Sequence, residues 1–143
     1  MGITMLTTSK QLGVIIRNKF EDIEKKVLNV LKNAGEQAVK QARLKGSYKD
    51  RTGNLRSSIG YVIVKRSEVV HQSAFNVVKD GQEGSKEGLS LALDLVKNYP
   101  TDYVLIVVAG MNYATYVERK GFDVLSSAQL KAEEVVKKLM AQL

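Results

Sequence analysis

Residues 50–59, DRTGNLRSSI, mark the point where a helical sequence becomes a sheet sequence. Upstream, apolar residues recur with helical spacing; downstream, the chain opens with alternating and β-branched residues. Gly46 and Gly53 bracket the change. The first suits the left-handed residue that ends a helix, and the second the positive φ of a tight turn. Asp50, Thr52 and Asn54 carry short polar side chains suited to bonding turn backbone. Leu55 and Ile59 give the incoming strand something to bury, and Arg56 stays available for a carboxylate or phosphate. On turn chemistry alone, the stretch is a helix-to-strand junction.

On its N-terminal side, residues 1–8 read as a lead-in and Ser9 as a helix N-cap. Apolar residues then recur at Leu12, Ile16, Phe20, Ile23, Val27, Leu31, Ala34, Ala38 and Ala42. The steps are three or four throughout, which is one face of a long α-helix. Glu21 with Lys25 and Asp22 with Lys26 are i,i+4 pairs in the favourable order. Gly13 and Gly35 are candidate bends. The stripe narrows to alanines that admit a close partner surface. Self-pairing as a coiled coil and packing on the chain's own sheet both satisfy it, and the second is the commoner arrangement.

On the C-terminal side, residues 57–66 read as a strand with Ile59, Tyr61 and Ile63 on one face and Val62 and Val64 on the other. Two apolar faces predict a central or doubly covered strand. Residues 69–78 read as its hairpin partner through a turn near 66–68. Residues 80–88 form a glycine-rich polar loop in which Gly81, Gly84 and Lys86 lack P-loop spacing. A short helix follows over 88–98 and is stopped by Pro100. Residues 103–110 are strongly β-prone, and 113–118 read as a shorter strand beyond a turn at 111–112. The last helix starts with Ser126 as N-cap, Gln129 as capping-box partner, and Leu125 with Leu130 as a staple. The expected architecture is one α+β domain over 1–143. It has a long N-terminal helix, a mostly antiparallel four-stranded sheet with a short inserted helix, and a C-terminal helix packed on the sheet.

Composition narrows the function classes. The 143 residues are 44% hydrophobic and 26% charged, a globular balance, and the absence of Trp implies an aliphatic core. There is no Cys, so disulfides and Cys-type zinc sites are excluded. The formal net charge of +7 permits contact with nucleic acid, anionic membrane or acidic protein, and does not choose among them. No targeting segment is visible, and the longest apolar run, 104–109, is too short for a bilayer, so a soluble protein is expected. The single histidine, His71, cannot form a metal cluster. Glu133 and Glu134 adjoin on a helix and so point in different directions. No nucleotide fingerprint or nucleophile elbow occurs. The reading is a non-enzyme that uses no cofactor and no small-molecule substrate.

Two stretches together resemble the small head–tail connector or tail-completion proteins of long-tailed bacteriophages. One is the helix that ends in QARLKGSYKDRTGNLRSSI; the other is AGMNYATYVERKGFDVL before the last helix. The family's Thr-Gly-x-Leu-x-x-Ser-Ile turn is matched by Thr52, Gly53, Leu55, Ser58 and Ile59. Its Tyr-Ala-x-Tyr-x-Glu segment is matched by Tyr113, Ala114, Tyr116 and Glu118. The chain departs from the pattern after the glutamate, where Arg119 and Lys120 precede Gly121. It departs again at Phe122-Asp123-Val124-Leu125, where many members have an aromatic-proline segment. Residues 80–98 look like an insertion relative to shorter members. The resemblance implies a virion protein made in the host bacterial cytoplasm. Copies would form a ring at the neck or tail top, next to portal and tail proteins and in non-specific contact with channel DNA. Thr52, Gly53, Leu55, Arg56, Ser58, Ile59, Tyr113, Tyr116 and Glu118 are then expected to hold the fold or the subunit interface. The alternative from composition is a stand-alone basic nucleic-acid-binding module.

Overall fold

The computed structural model describes residues 2, 8–45, 48–112 and 114–143. Helix α1 (Ser9–Lys45) runs 37 residues, unbroken by Gly13 or Gly35. Its cap lies one residue before the expected one. Thr8 Oγ1 accepts from the Gln11 N–H at 3.2 Å, while Gln11 Oε1 accepts from the Thr8 N–H at 2.9 Å, a reciprocal capping box. A single-turn helix α2 (Asn54–Ser57) leads into strands β1 (Ile59–Lys65) and β2 (Glu68–Gln72). Helix α3 (Gln82–Leu95) continues as a 3-10 turn at Val96–Asn98, followed by β3 (Val104–Ala109), α4 (Ala114–Arg119) and α5 (Ser126–Met140). Gly46, expected to end α1, lies outside the described residues.

Strand β1 is central in the order β2-β1-β3, antiparallel to both neighbours. Arg66 and Ser67 close the β1–β2 hairpin with φ of 52° and 64°, the two positive values that match the twist of a tight hairpin. As the alternation predicts, β1 is buried on both faces. Ile59, Tyr61 and Ile63 join Ala38 and Ala42 of α1 and Ala128 of α5 in one cluster. Val62 and Val64 join Phe75, Ala92, Val96 and Val108 in the other. Fully burying a Val or Ile side chain contributes about 1.5–3 kcal/mol, so this strand anchors both layers.

Three expectations fail here. Among the described residues the sheet has three strands, because 114–118 does not extend it. Residues Ala114–Arg119 form α4 instead, with Tyr113 outside the described residues. Helical spacing places Ala114 and Val117 against the core and carries Glu118 toward α5, so tertiary packing overrides the local β preference. The second strand is also shorter than 69–78. Ser73 Oγ takes the Tyr61 N–H at 2.8 Å, and the chain leaves the ladder so that Phe75 packs over Gly60. Finally, α3 begins at Gln82, inside the expected loop. Gly84, Gly88 and Ala92, four apart and buried, let it approach the backbone at Asn54 and Ser58.

The stripe on α1 is covered along only part of its length. From Val30 onward it is progressively buried, but from Ser9 to Lys26 every residue except Gly13 is exposed. Leu12, Ile16, Phe20 and Ile23 are 46–64% exposed, although they lie on the same face as Val27, Ala34 and Ala38. The Lys65–Glu24 ion pair at 2.8 Å ties the base of this arm to the sheet. The exposed part is about 27 Å long at 1.5 Å per residue.

The two α1 glycines should respond to substitution with opposite signs. A Cβ at Gly35 would lie 2.6 Å from the Tyr61 ring, whereas one at Gly13 meets nothing within 4 Å. Gly35→Ala should lower the urea midpoint, overpacking of about 1–3 kcal/mol outweighing a helix-propensity gain of about 1 kcal/mol. Gly13→Ala should raise far-UV helicity without loss of midpoint. Equal behaviour of the two variants would refute the close contact.

Candidate functional site

The DRTGNLRSSI stretch is a joint at which three elements meet. Buried Asp50 caps α2, accepting from the N–H groups of Leu55 at 3.3 Å and Arg56 at 2.9 Å. Gly53 has φ +83°, and a Cβ there would sit 1.9 Å from the Val78 carbonyl oxygen, so only glycine fits. Thr52 accepts from the Asp80 N–H through its carbonyl at 2.9 Å. Asn54 Oδ1 accepts from the Gly84 N–H at 3.0 Å in the first turn of α3. Ser57 Oγ accepts from the Val78 N–H at 2.8 Å. Ser58 Oγ donates to the Leu55 carbonyl at 2.7 Å, and the Ser58 carbonyl accepts from the Gly110 N–H at 3.1 Å.

Arg56 is less available than its sequence position suggests. Its Nε donates to the Arg43 carbonyl at 2.8 Å, and its guanidinium lies 5.1 Å from the centre of the Tyr48 ring. Tyr48 Oη donates to the Ala42 carbonyl at 3.0 Å, so these two side chains satisfy carbonyls that the last turn of α1 leaves unpaired. Burial pushes the Tyr48 hydroxyl up to about 12 against the pull of Arg56. Arg43 donates through Nη2 to the Asn76 carbonyl at 2.6 Å, and burial holds its pKa below the usual guanidinium range. Lys40, Arg43 and Arg56, with Glu36, line an open cleft of about 520 Å³.

Glu118 performs the equivalent task for the last helix. Its carboxylate accepts from the N–H groups of Val124 at 2.5 Å, Leu125 at 3.3 Å and Ser126 at 2.9 Å, and from Ser126 Oγ at 2.5 Å. Asp123 accepts from Ser127 N–H at 3.1 Å and from its hydroxyl. The N-terminus of α5 is thus capped from α4 and Asp123. The expected box fails: Leu125 takes the cap position, Gln129 donates to Glu133, and Leu130 is exposed. Burial alone would raise the Glu118 carboxyl. The Ser126 hydroxyl and three backbone donors outweigh it and hold the pKa below the ordinary carboxylate value. Tyr116 lies in α4, and its side chain, like Tyr113, falls outside the described residues.

The two motif stretches come together. Leu55 and Ile59 from the first and Ala114 from the second share one buried cluster with Tyr48 and Val124. A third polar group was not expected from the sequence. Tyr61 Oη donates to Glu36 Oε1 at 2.8 Å and lies 3.2 Å from His71 Nε2, tying α1, β1 and β2 together. Burial, then Glu36, raises the Tyr61 phenol above its usual range and keeps it neutral. Helical spacing alone could not reveal this clasp, because its members are brought together by pairing Ile63 with His71 across the sheet.

Because the folded state lowers the pKa of Glu118, its contribution to stability is full above the ordinary carboxylate value. It is lost as pH falls through the depressed one. Glu118→Gln should therefore destabilise the protein at pH 7 by about 1–2 kcal/mol, the scale of a helix cap. The gap between variant and wild type in thermal midpoint should close toward pH 3. A gap unchanged from pH 7 to pH 3 would refute the ionised cap.

Compared with protein-family models, curated proteins and solved structures, the chain matches none of them.

Proposed function

We propose that the chain is a structural subunit of a long-tailed bacteriophage particle, of the head–tail connector or tail-completion type. Copies assemble into a ring at the neck or tail top, around the DNA path and beside portal and tail proteins. The observation that carries the reading is the projecting first half of α1, whose apolar stripe continues the core face and is left exposed by the described residues. A helix of that length without tertiary packing is marginal in water, so an assembled state suits the arm better than an isolated one. Of the two roles expected for the motif residues, holding the fold or holding the subunit interface, their contacts match the first. Thr52, Gly53, Leu55, Arg56, Ser58, Ile59 and Glu118 make contacts inside the subunit, so they set its shape rather than reach outward. No helix among the described residues is long and apolar enough to cross a membrane.

A second reading, a stand-alone basic module that binds nucleic acid, draws on the grouping of Lys40, Arg43 and Arg56 around one cleft. Light scattering across concentration, at low and high salt, with and without duplex DNA, separates the two. The ring reading expects a discrete multi-chain mass indifferent to DNA. A single-chain mass whose DNA affinity falls steeply with salt would overturn it in favour of the module.

A further inference from the structure

The arm has a complement on the same chain. Strand β3 is a sheet edge, and α1 and α5 do not close over its inner face. Leu105 and Val107 of β3, with Leu125, Ala128, Ala132 and Val136 around α5, line an open groove of about 490 Å³. Its lining is mainly aliphatic, with Gln129, Glu133 and Lys137 at its polar side. Helix α1 does not enter the groove of its own chain. Helix α1 runs antiparallel to β1, with Glu36 at Tyr61 and Glu24 at Lys65. It also runs antiparallel to α5, with Gln41 at Ser127 and Lys26 beside Leu139. Beyond Glu24 the unbroken helix therefore leads past the end of the domain and away from the groove.

We propose that the first half of α1 docks in the α5–β3 groove of a second copy of this chain, Leu12, Ile16, Phe20 and Ile23 entering the trough. Two observations select that occupant. The stripe that would enter is the direct extension of the face with which α1 already packs on α5 and the sheet, so the same surface chemistry is repeated between copies. A flanking charge also agrees. Lys19 and Lys26, the latter paired with Asp22 at 3.4 Å, border the stripe on one side, and Glu133 stands at the groove. Docked with Lys19 at Glu133, the arm makes an opposite-sign contact at the groove's rim. The contact is heterologous, since arm and groove are different surfaces. It rests on the ring reading for closure into a ring, but the contact itself is tested separately.

The absence of cysteine makes the test direct. Ile16→Cys and Ala132→Cys chains, prepared separately and treated with a short bis-maleimide, should give a cross-linked two-chain product only when mixed. A product from Ile16→Cys alone would place arm against arm, and no product from the mixture would leave the groove empty; either overturns the proposal. Phe20→Glu breaks the arm and Ala132→Arg fills the groove. Phe20 is 64% exposed and Ala132 lies outside the fully buried core, so circular dichroism should show both variants folded. Each alone should show a single-chain mass, and a mixture should recover a two-chain species, because one intact arm then meets one intact groove. Unchanged multi-chain mass in both variants would refute the contact while leaving a ring held by another surface. Cross-linking of the mixture with a wild-type mass of only two chains would confirm the contact and overturn the ring.

Discussion

Strand β1 has no solvent face, and the remaining architecture follows from covering it. Its six residues from Ile59 to Val64 are buried, with alternate side chains pointing into two separate clusters. A strand of this kind needs a layer on each side and a neighbour on each edge. Helices α1 and α5 supply one layer, α3 with Phe75 the other, and β2 and β3 the edges. The polar joint around Asp50 and Gly53 is what lets the chain pass from the first layer into the strand. It holds the end of α1 through Arg56 on the Arg43 carbonyl, and the start of α3 and the loop at Val78 through backbone N–H groups that donate to the Asn54 and Ser57 side chains. The core therefore sets what must be covered, and the joint sets how the covers are spaced.

Much of this is legible in the sequence where the signal is periodic. The stripe from Leu12 to Ala42 identifies α1, and the two-sided alternation of 59–64 identifies a central strand. Legibility fails where a segment's state depends on a partner far away in sequence. Residues 114–119 are β-prone in isolation but helical because Glu118 must reach the start of α5. The glycines at 84 and 88 look like loop residues until the Asn54 and Ser58 backbones lie against them. Their four-residue spacing, continued by Ala92, was the available signal. Within residues 50–59, sequence alone shows that Asp50 and Gly53 serve a turn, but not that Arg56 spends its Nε on the carbonyl of Arg43. That contact depends on the closing angle of α1 against β1, which no local pattern encodes.

Periodicity also carries no information about what covers a face. The α1 stripe is uniform along the chain, yet the fold divides it into a buried half and an exposed half near Val27. A monomer gains nothing from continuing the apolar pattern for four more turns. The apolar residues there raise the free energy of an isolated subunit and lower that of an assembled one, so the pattern itself favours association.

Charge works against association. Each copy carries a formal +7, so bringing copies together in the proposed ring accumulates positive charge around a common axis. That field suits a DNA path, where contact with phosphate is sequence-independent and weakens with salt. It also makes the subunits repel one another. Surface ion pairs are poor compensation, being worth about 0–1 kcal/mol each and screened under the same salt conditions. An apolar contact is not screened. Burying four large side chains of the arm contributes on the scale of about 1.5–3 kcal/mol each before the cost of association. In the proposed ring, a basic subunit held by an aliphatic arm can thus keep its positive charge and its cohesion at once, because the two depend on different forces.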